Sequence, residues 1–182
     1  MRKLDEFTKK ILHPEQVVSS QVQGGNEDSV NTERMNVYFL DIDALIHYSG
    51  PLYGSFLVEK FVSSYIVPGD DNVYVTDEAT LERLRLLEDA GESDIYSGYS
   101  AFIERNMVVI PKKMSIDCFR YENAYRKWIH GTVIAFENEA CATVFGSLLY
   151  LYKKAGFEPV LVTYEDEMAR VARELGFSVI NK

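Results

Sequence analysis

The 182-residue sequence predicts a three-layer α/β/α domain around a central, mostly parallel sheet. From Asn36 onward, apolar runs of strand length alternate with segments whose apolar residues recur every three or four positions, as in β-α-β units. The composition, 47% hydrophobic and 26% charged, is that of a globular protein. The length suits one domain with an extension better than two large domains. We therefore assign residues 1–35 to an N-terminal extension and residues 36–182 to the α/β domain.

The extension begins with a predicted amphipathic helix. Its residues Leu4, Phe7, Ile11 and Leu12 recur at helical spacing and stop before Pro14. A stretch rich in Gln, Ser, Asn and Gly then runs to about residue 34, which is typical of a linker.

The domain is predicted to contain five strands connected by helices. The strands are the apolar runs 37–40, 73–76, 107–110, 159–162 and 177–180. The helices are 55–66, a segment after Asp77, 115–129, 139–155 and a segment around 168–175. Asp77 and Ser115 are the expected N-caps of the second and third helices, and Gly156 is the expected C-cap of the fourth. The predicted buried stripe of that fourth helix comprises Val144, Phe145, Leu148, Leu149 and Tyr152.

The charge, hydropathy and cysteine content of the sequence indicate which partners and which cellular location to expect. With 28 acidic and 19 basic residues, the net charge of −9 disfavours coating of nucleic acid by bulk electrostatics, so any such contact needs a local patch. The sequence has neither the apolar run of about 20 residues that a membrane helix needs nor the apolar stretch of a secretory signal. We expect a cytoplasmic protein without a membrane segment. Cys118 and Cys141 both fall in helical segments and are expected to be free thiols.

Acidic residues recur where the predicted strands end, at the edge where the loops of a parallel sheet converge. Asp41 and Asp43 follow the first strand, and Glu82 lies in the first turns after the second. Glu139 begins the long helix, and Glu165 and Asp166 follow the fourth strand. Two carboxylates about 4 Å apart repel by roughly 4 kcal/mol at an effective dielectric constant near 20. A divalent cation at this edge would remove that repulsion.

Several of these carboxylates also have structural explanations, which the sequence leaves open. Glu82 can pair with Arg85 on the same helix. Glu139 and Glu165 can complement the positive ends of their helices. The segment Thr163–Asp166 approximates a capping box that opens the last helix.

Two segments resemble motifs of PIN-domain ribonucleases. The run 37–46, VYFLDIDALI, resembles the opening strand and first acidic motif of that family. The run 161–180, LVTYEDEMARVARELGFSVI, looks like its closing strand, threonine-x-acid turn, helix and final strand. Between them, residues 73–86 look like the strand and helix that carry the family's glutamate, and residues 138–140 take the place of its third acid.

The resemblance implies a metal-dependent endoribonuclease that hydrolyses RNA phosphodiester bonds. In that reading the catalytic residues, which hold one or two Mg²⁺ or Mn²⁺ ions, are Asp41, Glu82, Glu139 and Glu165. Asp43 and Asp166 would be further ligands, and Thr163 would orient the loop and the substrate. The resemblance also allows for a homodimer and for a protein inhibitor or other partner. Lys112 and Lys113 belong to a basic cluster that is the best candidate for an RNA-backbone contact, although a solvated helix face explains them equally well.

Two other functions fit parts of the same pattern. The third and fourth acidic positions hold glutamate where the family usually has aspartate, and the extra methylene favours a PIN-like binding or assembly module without nuclease activity. A phosphatase of the haloacid-dehalogenase type would use Asp41 as nucleophile, Asp43 as acid and Thr163 as phosphate ligand. The 19 residues from 164 to 182 are too few for the further strand and acidic loop that this scheme needs, which disfavours it.

Overall fold

The computed structural model describes residues 2–15, 36–47, 72–91, 103, 107–121 and 139–181. The helices are α1 (Arg2–Leu12), α2 (Ile42–His47), α3 (Glu78–Asp89), α4 (Lys112–Tyr121), α5 (Glu139–Lys153) and α6 (Asp166–Glu174). The strands are β1 (Asn36–Leu40), β2 (Asn72–Asp77), β3 (Met107–Ile110), β4 (Pro159–Val162) and β5 (Ser178–Ile180). All five predicted strands are confirmed. The predicted helix 55–66, the linker up to residue 34 and the predicted continuation of α4 to residue 129 lie outside the described residues.

The five strands form one sheet in the order β3-β2-β1-β4-β5, and every neighbouring pair is parallel. Val37 of the central strand β1 is in register with Val73 of β2 on one side and with Pro159 of β4 on the other. After β1, the chain adds β2 and β3 on one side of that strand and then β4 and β5 on its other side. This reversal beside β1 is the position where open α/β sheets commonly carry their sites.

Helices cover both faces of the sheet, which confirms the three-layer arrangement. Alternate residues of a strand point to opposite faces. Val37 and Phe39 therefore enter the larger core, which includes residues of α1, α5 and α6. Leu40 enters the smaller core on the other face, with residues of α2 and α3. Full burial of side chains of this kind contributes about 1.5–3 kcal/mol each.

The N-terminal helix packs on the α/β domain. Ile11 of α1 is fully buried in the larger core. The hydroxyl of Tyr150 on α5 donates to the carbonyl oxygen of Ile11 at 2.9 Å. Carbonyls in the last turn of a helix lack helical partners, so this bond satisfies one of them. Helix α1 is thus fixed to the domain by both apolar packing and a buried hydrogen bond.

Two predicted helix caps are confirmed. Asp77 precedes α3 in an extended conformation, and its carboxylate accepts the backbone N–H of Thr80 at 2.7 Å. Gly156 follows α5 with a φ of 75°, the left-handed conformation that glycine adopts at helix ends.

Three local predictions are wrong. Helix α4 begins at Lys112, so Ser115 lies inside it rather than at its cap, because Pro111 ends β3 and its carbonyl already accepts the N–H groups of the first turn. Tyr152 is 53% exposed, with its ring edge against Phe177. The segment Thr163–Asp166 forms no capping box: Glu165 is the N-cap of α6 and makes no side-chain cap bond.

Two predictions drawn from composition can be compared with the structure. Among the described residues, no helix combines the length and the apolar character that crossing a lipid bilayer requires. Cys118 is a free cysteine, as predicted. The side chain of Cys141 lies outside the described part of the chain.

Candidate functional site

The ends of β1 and β4 bring the first and last acidic motifs together. Asp41 directly follows β1, and only 1% of its surface is exposed. Its N–H donates to the carbonyl of Val162 at 3.1 Å, and the N–H of Thr163 donates to the carbonyl of Ile180 at 3.1 Å. The sheet hydrogen bonds therefore continue one residue beyond the strands. This extension holds Asp41 and Thr163 side by side at the carboxyl edge of the sheet.

Thr163 connects the loop after β4 to both aspartates. Its hydroxyl lies 3.0 Å from Oδ2 of Asp43 and 3.4 Å from Oδ2 of Asp41. A hydroxyl has one proton to donate, so the shorter contact, to Asp43, is the stronger hydrogen bond. The N–H of Tyr164 also donates to Oδ2 of Asp43, at 2.8 Å. Asp43 is thus tied to the β4–α6 loop by a hydroxyl and a backbone amide.

Asp41 lies in an unfavourable environment for a negative charge. Burial, followed by the charge of Asp43, raises the pKa of Asp41 to about 7. The hydrogen bond from the N–H of Ile42 to its Oδ1, at 2.7 Å, and the charge of Arg83 offset part of this effect. Asp41 therefore holds a proton near neutral pH far more readily than an exposed aspartate does. A cation placed beside the two carboxylates would favour the charged form.

Glu82 lies on α3 and forms an ion pair with a predicted substrate-binding residue. The Nζ atom of Lys112 is 3.0 Å from its carboxylate, and the Glu82 side chain is 51% exposed. The backbone N–H of Lys112 donates to Oε2 of Glu78 at 3.0 Å, which fixes the start of α4 against α3. Lys113 is exposed. The Lys112 ammonium therefore already neutralises one predicted metal ligand.

The carboxylates of Glu165 and Asp166 make no hydrogen bond to Asp41, Asp43 or Thr163 among the described residues. Helix α5 begins at Glu139, as predicted, but the side chain of Glu139 lies outside the described part of the chain. Glu165 and Asp166 are both exposed. Glu165 contributes its backbone N–H to the hydroxyl of Thr163 at 3.2 Å, and Asp166 accepts a long bond of 3.4 Å from Asn181.

Asp77, expected from the sequence only as a helix cap, also belongs to the carboxylate edge. It ends β2, the strand paired with β1, and it is fully buried. Its charge is among those that raise the pKa of Asp41, and burial raises the pKa of Asp77 itself. Besides capping α3, it accepts the hydroxyl of Ser147 at 3.1 Å. Like Asp41, Asp77 is an acid at the end of a buried strand, so its position in the sequence could have indicated a site residue.

The donor atoms of Asp41 and Asp43 suit a hard divalent cation. Within the described ranges, no group of three or more His, Cys, Asp or Glu side chains is close enough together to hold a metal ion. Mg²⁺ often binds through one or two carboxylates and keeps several waters, so a pair of aspartates with a neighbouring hydroxyl is an adequate protein contribution. Burial first, and the charge of Asp43 second, raise the pKa of Asp41, and a cation at this position would offset both effects.

The chain matches no model of a known protein family, and it has no significant match among curated proteins. The likeness to PIN-domain ribonucleases therefore rests on the sequence motifs alone, and its functional implications stay predictions.

Proposed function

We propose that this chain is a metal-dependent endoribonuclease whose centre is formed by Asp41 and Asp43. The observation that supports this most strongly is the buried Asp41 carboxyl, with its raised pKa, beside Asp43 at the carboxyl end of the central strand. A protein rarely buries a carboxylate such as Asp41 beside a second, half-buried acid without a partner for the charge. Cleavage of RNA is the reaction that the PIN-like motifs favour.

The residues of the site have separate tasks in this proposal. Asp41 and Asp43 would hold Mg²⁺ or Mn²⁺, which supplies charge neutralisation at the phosphate and a bound water of lowered pKa. Thr163 and the N–H of Tyr164 fix the orientation of Asp43, so that its carboxylate need not reorganise. Lys112 and the exposed Lys113 provide positive charge for the RNA backbone. Such an enzyme would act in the cytoplasm, and a homodimer or a protein inhibitor is compatible with the resemblance.

A second candidate, a PIN-like binding or assembly module without cleavage, is favoured by one specific observation. Lys112 neutralises Glu82, and the carboxylate of Glu165 is exposed, so two of the four predicted catalytic acids stand apart from Asp41. A centre with only Asp41 and Asp43 could bind a cation, and through that cation an RNA phosphate, without activating water.

Thermal melting against Mn²⁺ concentration tests the metal site. A ligand that binds only the folded state stabilises it by about 2.7 kcal/mol at one hundred times its Kd. We expect this rise in the wild type and its loss in Asp41→Asn. Glu158→Gln is the matched control, because Glu158 is an exposed acid just before β4, at the opposite edge of the sheet. The control should respond to Mn²⁺ like the wild type.

Incubation with structured RNA then separates the two candidates. Cleavage that requires Mn²⁺ and is lost in Asp41→Asn supports the nuclease. Metal binding and RNA binding without cleavage support the binding module. If neither the wild type nor the control is stabilised by Mn²⁺ or Mg²⁺, the metal centre is refuted.

A further inference from the structure

A chain of three buried polar side chains lies beneath the carboxylate edge. The hydroxyls of Ser115 and Ser147 are 2.6 Å apart, and the hydroxyl of Ser147 donates to Oδ2 of Asp77 at 3.1 Å. All three side chains are fully buried. Because Ser147 uses its single proton toward Asp77, Ser115 must be the donor to Ser147. We call this chain the Asp77 clamp.

The clamp joins four elements of the fold at one point. Asp77 ends β2, and its other oxygen, Oδ1, accepts the N–H of Thr80 at the start of α3. Ser147 lies on α5, and Ser115 lies on α4. One carboxylate thus fixes the start of α3 directly and the helices α5 and α4 through hydroxyls.

Each helix that the clamp holds also carries a predicted residue of the site. Helix α3 carries Glu82, and α4 begins with Lys112, the partner of Glu82. Helix α5 begins at Glu139, about 12 Å along the helix axis from Ser147. The clamp therefore lies where small movements of these helices would change the positions of all three residues relative to Asp41.

The packing around the clamp leaves no room for larger side chains. A Cβ atom added at Gly146 would lie 2.1 Å from the carbonyl oxygen of Ser115, so α4 and α5 approach to backbone contact there. This close approach is what allows two short serine side chains to reach each other. An apolar residue in place of Ser147 would leave the buried Asp77 carboxylate without one of its hydrogen bonds.

We propose that Asp77 is a positioning residue, which holds α3, α4 and α5 through the clamp in the arrangement that the metal and RNA site requires. The proposal rests on the proposed function. It differs from a purely structural role, because loss of the clamp should change the properties of the site in molecules that remain folded.

The test compares two variants that each remove one buried hydroxyl from α5. Ser147→Ala breaks the clamp. Tyr150→Phe, three residues later on the same helix, removes the bond to Ile11 and leaves the clamp intact. Both should lower the melting temperature. Mutation of groups that orient metal ligands directly typically weakens metal binding about 10–100-fold. Ser147 would act only through the position of the helices, so we expect a smaller effect in Ser147→Ala, about a threefold to tenfold rise in the half-saturating Mn²⁺ concentration. Tyr150→Phe should bind Mn²⁺ like the wild type.

The outcomes separate failure of this inference from failure of the proposed function. The inference is supported if Ser147→Ala also loses kcat in Mn²⁺-dependent RNA cleavage with KM nearly unchanged, while Tyr150→Phe keeps the wild-type kcat. It is overturned if Ser147→Ala loses stability but matches the wild type in Mn²⁺ response and cleavage. If the wild type itself shows no Mn²⁺ response, the metal centre is refuted, and the positioning role falls with it.

Discussion

Replacement of Asp41 by asparagine should change the dependence of stability on pH in a defined direction. The reference pKa of an aspartate is 3.8, whereas burial and the charge of Asp43 raise the pKa of Asp41 to about 7 in the folded protein. Between these values the folded state binds more protons than the unfolded chain. The stability contributed by protonated Asp41 is therefore fully present below pH 3.8 and is lost as the pH rises through about 7.

The size of the effect follows from the same shift. A change of about three pKa units corresponds to roughly 4 kcal/mol between the protonated and ionised forms above pH 7. Asparagine carries no charge, and its Oδ1 can still accept the N–H of Ile42. Its amide protons, however, are buried without assigned acceptors, which costs about 1–3 kcal/mol. We therefore expect Asp41→Asn to be more stable than the wild type at about pH 8 by roughly 1–3 kcal/mol in the absence of divalent cations.

Urea unfolding at several values from about pH 5 to about pH 9, with a chelator present, measures this effect. The wild type should lose stability as the pH rises, and Asp41→Asn should show a much weaker slope. A residual slope is expected because burial also raises the pKa of Asp77. Glu158→Gln, which removes an exposed acid, should retain the wild-type slope. Equal slopes in the wild type and Asp41→Asn would refute the assignment of a buried, destabilised charge to Asp41.

Substitutions at three positions test other parts of the structure. Thr163→Val should lower the free energy of unfolding by about 1–3 kcal/mol in urea titrations, because Asp43 loses a buried donor; Thr163→Ser should restore most of it, and equal losses in both would contradict this reason. Lys112→Met removes a positive charge from the acidic edge and should lower the half-saturating Mn²⁺ concentration. The change should be at most about fivefold, since an exposed ion pair such as the one with Glu82 is worth at most about 1 kcal/mol. The same substitution should weaken RNA binding in filter assays. Ile11→Ala should cost about 2–5 kcal/mol with an unchanged urea m-value, and a loss near zero would show that α1 does not stabilise the domain.

The fold was predictable because its signals are local and repeated. Each strand is a short apolar run next to a turn signal or an acid, and the parallel order follows from the helices between the strands. Ser115 and Tyr152 were misassigned for a different reason. A serine after a strand resembles a cap, and a tyrosine on an apolar stripe resembles a core residue. Only the packing of α4 on α5, and the solvent-facing position of Tyr152 at the end of α5, distinguish these alternatives.

Within the candidate site, the sequence indicated only those contacts that follow from where the strands end. Asp41, Asp43 and Thr163 meet because β1 and β4 are neighbours in register. The sequence indicates that both strands end in polar residues at the same edge of the sheet, but only the structure shows that the two strands are paired. Glu82 and Lys112 meet because α3 and α4 both start at the carboxyl edge, on neighbouring strands β2 and β3. No spacing in the sequence indicates that contact, since 30 residues separate the pair.

The acidic edge is neutralised by different cations at different positions, and this explains how the fold tolerates it. At neutral pH a proton partly occupies Asp41, and the Lys112 ammonium occupies Glu82. Both are monovalent substitutes for the charge that a divalent ion would bring. A cation held by Asp41 and Asp43 would take the place of that proton, whereas the Lys112 ammonium would remain on Glu82. Asp41, the carboxylate that destabilises the domain at high pH, is thus also the one whose charged form a bound cation would stabilise.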